Sequence, residues 1–331
     1  MIWLTWRQFR AQALVGLAAL LLLAGYLVVL GTQIHDAHAD TLAHCAGGRA
    51  DCAGPLGAFA DRYRLRADLL GYLLLAVPGA IGVFWGAPLV ARELEAGTHR
   101  LVWNQSVTRG RWLAVKLGLV GLAGVAAAGL YSLLLTWATG PVTAVLGNRF
   151  EPALFASRGL APLGYAAFAV VLGATLGLFL RRAVPAMAAT LVVFAALQIA
   201  VPALVRPHYQ PPVRTSVPLT AELIGRLTKI GTYGDIGGLR VPGGPWVVGT
   251  SPMLDAAGQE VGHSAWFQDC MDRSSLAELP GCLAGGGVQV EIAEQPAGRY
   301  WDFQLRETAL FAALTALTAG LAFHRVRRHP V

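Results

Sequence analysis

LAPLGYAAFAVVLGATLGLFLRRAVPAMAATLVVFAALQIAVPALV, residues 160–205, carries no charge except Arg181 and Arg182. Written as one helix it would be roughly 70 Å long, about twice the thickness of a bilayer's hydrocarbon core. The arginine pair, followed by Pro185, therefore marks a tight turn between two runs, 160–180 and 183–205. Each is near the ~20 apolar residues that cross a membrane as a helix. Lipid cannot satisfy backbone hydrogen bonds, and the alternating pattern of a membrane strand is absent, so both runs read as helices.

The rest of the chain agrees with that reading. It is 55% hydrophobic, only 14% charged, and has a mean hydropathy of +0.53, a membrane-protein composition. Further apolar runs cover 12–31, 69–90, 113–137 and the shorter 308–323. The expected fold is an all-α polytopic membrane protein of six transmembrane helices, with a larger, partly β extracytoplasmic segment between helices 5 and 6. Around the spans lie an interfacial helix (1–11, "WLTWRQFR"), an outer loop (32–68), a cytoplasmic loop (91–112), a second outer loop (138–159), the extracytoplasmic module (206–307) and a cytoplasmic tail (324–331). In the first outer loop "FADRYRLRADLL" reads as a short surface helix. In the module "PWVVG" and "VQVEIA" read as strands and "MLDAAGQEV" as a hairpin. "AHAD" at 37–40 imitates a signal-peptidase site, but the preceding apolar run is longer than a signal peptide's core, so an uncleaved first span is expected.

Orientation follows from the arginines. With the N-terminus inside, Arg7, Arg10, Arg92, Arg100, Arg109, Arg111, Lys116, Arg181, Arg182, Arg325, Arg327 and Arg328 face the cytoplasm against Glu93 and Glu95, a net +10. The remaining 14 basic and 17 acidic residues give −3 on the other side, and the two sides sum to the chain's +7. The positive-inside rule then places both termini in the cytoplasm of a multi-pass protein of the cell's inner (plasma) membrane. The basic balance is a topology signal and needs no nucleic-acid partner. Cys45 and Cys52 fall in one outer loop and Cys270 and Cys282 in another. Of the three possible pairings, the two loop-local ones suit an oxidising exterior, with four free thiols as the alternative.

Motifs for catalysis are missing. There is no HExxH, CxxC or GxSxG, and neither lysine, Lys116 or Lys229, completes a phosphate-binding GK[ST]. The chain is expected not to be an enzyme and to hold no metal or other cofactor; if ATP powers it, a partner supplies the hydrolysis. His35, His38 and His44 with Asp36 and Asp40 read as a solvated loop. No span has an acid or arginine in its central turns, and Lys116 is expected to snorkel to the inner interface. Pro78, Gly79 and Gln198 are the irregular or polar points that qualify as pathway-lining, with helix packing as the competing account. Gly173 with Gly177, and Gly118, Gly121 and Gly124, are spaced for close helix contact within the chain. Trp3, Trp6, Trp85 and Trp112 near one boundary, and Trp137 and Trp301 near the other, suit an interfacial belt.

The charged interval between spans 2 and 3, "RELEAGTHRLVWNQSVTRGRW" (92–112), holds four arginines, two glutamates and a histidine. Gly97 breaks the preceding helix, Thr98 is placed to cap a short one, and Thr108 to cap the next span. Glu93, Glu95, His99, Arg100 and Arg109 are expected to face the cytoplasm. With the following "LAVKL", this stretch resembles the inner-loop signature of ABC-2 type transporter permeases: an acidic residue, Gly-Thr, a helix, a Thr-Arg step and Lys116-Leu117 entering the third span. "TWRQFR" and "QPAGRYWDFQLRETALF" are similar to an actinobacterial subgroup. The resemblance implies a membrane-spanning permease, an exporter, that dimerises with a second copy or paralogue in the bilayer. It also implies a separate ABC ATPase subunit holding ATP and Mg. Glu93, Glu95, Gly97, Thr98, His99, Arg100 and Arg109 would then couple the two. The alternative is a membrane-anchored extracytoplasmic binding or sensor protein. Six spans and an elaborated inner loop argue against a mere tether, and no convergent ionisable pair in the spans suggests a membrane-embedded enzyme.

Overall fold

The computed structural model describes residues 2–46, 52–97, 108–147, 149–239, 241, 244–275 and 277–328. It is mostly helical, with six helices long and apolar enough to cross a membrane. Span 1 is α1 (Ile2–Ala46). Span 2 is α2 (Ala53–Ile81), a π-helical turn (Gly82–Gly86) and α3 (Ala87–Glu95). Span 3 is α4 (Arg109–Ala138). Two short helices follow, α5 (Gly140–Leu146) and α6 (Pro152–Ala156). Spans 4 and 5 are α7 (Ala161–Leu180) and α8 (Ala183–Ala200), the latter continued by a π-turn to Val205.

The helices extend beyond the apolar runs. Residues 2–46 are one helix, so the expected interfacial segment 1–11 is not separated from span 1 by any break. The described residues of the expected outer loop 32–68 are helical apart from Cys52, and its histidines lie on α1: His35 stacks on Trp137 and His38 lies against Phe59. No proline interrupts 2–46, and polar residues end a hydropathy run without ending a helix. The chain also splits into two compact units, one of 1–146, 151–206 and 301–331, the other of 147–150 and 207–300.

Span 4 is the centre of the membrane-helix unit. The most apolar part of α7 is 72% buried, against 11% for α1 and 17% for α8. The reason is glycine. A Cβ on Gly173 would lie 2.5 Å from the Gly82 carbonyl oxygen, and one on Gly177 2.6 Å from that of Ala87. In return, Cβ atoms on Gly82 and Gly86 would lie 2.6 Å from the carbonyl oxygens of Ala169 and Val170. Two GxxxG pairs thus face each other, backbone to backbone, where dispersion and not water drives association. Of Gly118, Gly121 and Gly124 on α4, Gly124 packs against Ile81 and Val170, whereas a Cβ on Gly118 or Gly121 would meet none of the described residues. Arg181 ends α7 in the left-handed region, φ 56°, donating its N–H to the Gly177 carbonyl at 3.0 Å, and α8 starts two residues later.

The second unit is small and part β. A three-stranded antiparallel sheet has the order β1 (Val213–Pro218), β5 (Gln289–Gln295), β4 (Trp246–Thr250). Both expected strands are present, and Leu254 bridges Glu260 in the expected hairpin, whose turn is held by Ala257 and Gln259 N–H donating to Asp255 Oδ1. Between these lie α9 (Ala221–Gly225), a two-residue ladder of β2 (Lys229–Ile230) and β3 (Ile236–Gly237), α10 (Ala265–Arg273) and α11 (Leu279–Gly285). Val290 and Ile292 of β5 bury one sheet face against Phe267 and Leu283. A Cys270–Cys282 disulfide staples α10 to α11, and Cys45–Cys52 joins α1 to α2, the two loop-local pairings. At the entry to α11 the Ser275 hydroxyl and N–H both donate to Glu278, holding its carboxyl below the usual range. The chain then enters span 6, α12 (Tyr300–Arg328).

Gly173→Val is expected to force α7 off span 2 and cost about 1–3 kcal/mol or more, whereas Gly118→Val meets open space and should leave stability unchanged. Thermal unfolding of the detergent-solubilised chain reads both, and equal melting temperatures for the two variants would contradict the glycine contact.

Candidate functional site

At the arginine-rich end of the helix unit, α3 carries Leu89, Glu93 and Glu95 toward the start of α4. Lys116 Nζ lies 2.7 Å from Glu93 Oε1, donates to the Leu89 carbonyl at 3.1 Å, and sits 4.9 Å from the Trp112 ring centroid. Glu93 is 8% exposed, Lys116 3% and Trp112 2%. An apolar cluster of Val90, Leu113, Leu117, Leu178 and Val326 surrounds them. Taking both charges from water is costly, and only close pairing with further hydrogen bonds offsets it. Glu95, one residue past the next, remains exposed and accepts a hydrogen bond from the Ala183 N–H at 3.2 Å. It thereby occupies the place of a capping side chain at the start of α8.

Several expectations change here. Glu93 does not face solvent, Lys116 does not snorkel, and Trp112 is not an interfacial anchor. The sequence held a partial signal for this: a lone lysine in an apolar span needs a carboxylate, and the preceding helix ends in two, Glu93 and Glu95. Gly97 is in the left-handed region, φ 69°, with its N–H donating to the Leu94 carbonyl. Thr108 caps α4, its hydroxyl accepting from the Arg111 N–H at 3.4 Å, and Arg109 is half-buried at the first helical position. Thr98, His99 and Arg100, with the expected short helix, lie outside the described residues.

A second buried polar group lies at the opposite end of the same unit, unmarked by hydropathy or spacing. Arg206 and Glu307, each one residue beyond the expected spans, are both fully buried. Arg206 Nε donates to Glu307 Oε2 at 2.7 Å and Nη2 to Oε1 at 2.7 Å. The Tyr165 hydroxyl donates to the same carboxylate, and the guanidinium stacks 4.1 Å above the Phe155 ring. One turn earlier on α12, Gln304 accepts from the N–H groups of Leu160 and Ala161 and donates to the Phe155 carbonyl. Spans 4, 5 and 6 are thus joined by polar contacts of fixed geometry, since a bidentate arginine–carboxylate pair sets orientation as well as distance.

Residues 17–206, more than half of the chain, match the ABC-2 membrane transporter related family. The chain belongs to that family. No curated protein and no solved structure matches it. The matched region runs from within span 1 to the end of span 5 and includes the Glu93–Lys116 clamp, so this ABC-2 family chain is a multi-pass component of a membrane transporter.

In this ABC-2 chain the three pathway candidates separate. Pro78 and Gly79 are buried in helix contact, where a Cβ on Gly79 would lie 3.0 Å from the Phe194 ring. Gln198 instead lines a crevice of about 400 Å³ with Tyr72, Leu75, Ala156, Ile199 and Pro202. Its Nε2 has no hydrogen-bond partner among the described residues. Pro202, four residues on, has no N–H to give the Gln198 carbonyl. Glu151 also lines the crevice, which thus sets apolar side chains beside an amide and a carboxylate.

Lys116→Met is expected to destabilise the ABC-2 chain by about 3–5 kcal/mol by leaving Glu93 buried and unpaired. The double variant Lys116→Met with Glu93→Leu should recover most of that loss. Melting temperatures of the two singles and the double complete the cycle, and additive losses would show that the pair is not coupled.

Proposed function

We propose that this chain is the permease subunit of an ABC exporter. In this reading it works as a dimer with a second copy or paralogue and is driven by separate subunits that bind and hydrolyse ATP with Mg. The observation that carries the reading is the anchored base of the loop between spans 2 and 3. Glu93 and Lys116 tie the loop's entry to span 3, and Glu95 ties it to the first turn of span 5. A push on residues 98–107 is therefore delivered to three spans together, which a loose loop would absorb and a simple membrane tether would not need. Glu93 acts as a positioning residue through Lys116, while Gly97 supplies the bend and Thr98, His99, Arg100 and Arg109 supply the groups that meet the ATPase. The Gln198 crevice, where Leu75, Ala156 and Ile199 lie beside the Gln198 amide and Glu151, suits an amphiphilic cargo. The +10 to −3 charge partition supports placing the loop and both termini in the cytoplasm, and the disulfides support placing the second unit outside.

Coexpression with a candidate ABC ATPase subunit tests the role of Glu95. Glu95→Ala is expected to keep the fold within about 1 kcal/mol and to lower copurification of the ATPase, and His99→Cys should cross-link to that subunit. Unchanged copurification together with no cross-link would refute the coupling role.

Orientation is read by thiol labelling of intact spheroplasts. After reduction, Cys45 or Cys270 should react with an impermeant reagent without permeabilisation. Reaction only in permeabilised cells would invert the topology.

A further inference from the structure

The arginine-rich end holds a second feature that the coupling loop does not use. Between the start of α4 and the end of α12 lies a crevice of about 640 Å³ lined by Thr108, Arg109, Gly110, Arg111, Ala114, Phe323 and Arg327. Trp112, Leu113 and Leu117 of one helix and Ala322 and Val326 of the other belong to one buried apolar cluster beside it. Its lining has two layers. Arginine and threonine form the rim, and Ala114 with Phe323 form the floor, at the level where the apolar run of α12 stops.

Arg111 and Arg327 have no carboxylate partner among the described residues. The two glutamates of this end are engaged elsewhere, Glu93 with Lys116 and Glu95 with the Ala183 N–H. Arg325, the other nearby cation, lies 5.5 Å from the Phe179 ring. The positive-inside rule requires arginines at this end but does not require that two of them, more than 200 residues apart in the chain, line one cleft above an apolar floor. Guanidinium groups favour phosphate through paired, charge-assisted hydrogen bonds, and basic pockets between membrane helices are suited to anionic headgroups.

We propose that this crevice binds the phosphate headgroup of an anionic phospholipid from the adjoining leaflet, with its acyl chains running along Ala114 and Phe323. Arg111 and Arg327 hold the phosphate from two helices, and Arg109 completes the basic rim. The lipid would then join the entry of span 3 to the exit of span 6, next to the Glu93–Lys116 clamp.

The test uses the full chain, alone and with its ATPase, in nanodiscs of phosphatidylcholine containing a photoactivatable phosphatidylglycerol. Illumination is expected to label peptides covering 108–114 and 323–327. Excess unlabelled phosphatidylglycerol should compete, and phosphatidylcholine or free glycerol phosphate should not. Arg111→Gln with Arg327→Gln is expected to lower the labelling about tenfold or more, and the double lysine variant to retain most of it. Labelling spread evenly over all spans, competition by phosphatidylcholine, or equal labelling of the double glutamine variant would overturn the proposal. Full competition by glycerol phosphate would assign the crevice to a soluble anion, and labelling lost whenever the ATPase is bound would assign it to that subunit. Either result also overturns it. The wild-type labelling pattern decides the matter even if the glutamine variant does not fold, and ATPase copurification is scored separately, so failure of the coupling role is not mistaken for failure of the lipid site.

Discussion

The backbone contact between span 4 and span 2 is the constraint on which the other features depend. Gly82 and Gly86 meet Gly173 and Gly177 with no side chain between them, which draws α7 into the middle of the bundle. Side chains of ordinary size there would hold the axes apart by the 8–10 Å typical of packed helices. Because α7 sits so close to span 2, the end of α3 lies beside the first turns of both α4 and α8. Only then do Glu93 and Glu95 reach Lys116 and the Ala183 amide. The clamp at the loop is thus a product of glycine placement in span 4 as well as in span 2 itself.

Both buried ion pairs lie at helix ends and join different spans. Glu93–Lys116 links spans 2 and 3; Arg206–Glu307, with Tyr165, links spans 4, 5 and 6. Such pairs gain little net stability over apolar residues of similar volume, but a mismatch leaves an uncompensated charge in a dry environment. Their effect is to penalise every other arrangement of the helices. Among spans whose remaining surfaces are nearly uniform Leu, Val and Ala, that penalty fixes rotation and depth where packing alone distinguishes alternatives poorly.

How much was legible follows from what each signal measures. Six spans could be located because bilayer thickness imposes a length on every apolar run. Helix ends could not, because residues such as His35, Asp36 and Asp40 are polar without being helix breakers, and α1 continues through them. Strands 246–250 and 289–295 were visible from β-branched composition, and both cysteine pairs from their shared loops. The partners of Lys116 and Arg206 were not visible by the same means. Each pair joins residues that hydropathy assigns to different segments, and the contact exists only after α7 has brought those segments together. Glu93 was misjudged as exposed because charge near a loop is the ordinary sign of solvent, and its burial depends on a lysine in the next helix.

The two-residue link between α7 and α8 bears on how the chain is made. Arg181 adopts a left-handed conformation and α8 resumes at Ala183, so there is no slack between the fourth and fifth helices. During synthesis the fourth cannot settle in lipid independently while the fifth waits behind it. The two must leave the insertion machinery as one helical hairpin whose only formal charges sit at its tip. Its first helix must also find a partner already in place, since the glycines of span 2 emerge from the ribosome long before those of α7. The order of translation therefore matches the order of packing: an outer pair first, then the hairpin that fills its centre.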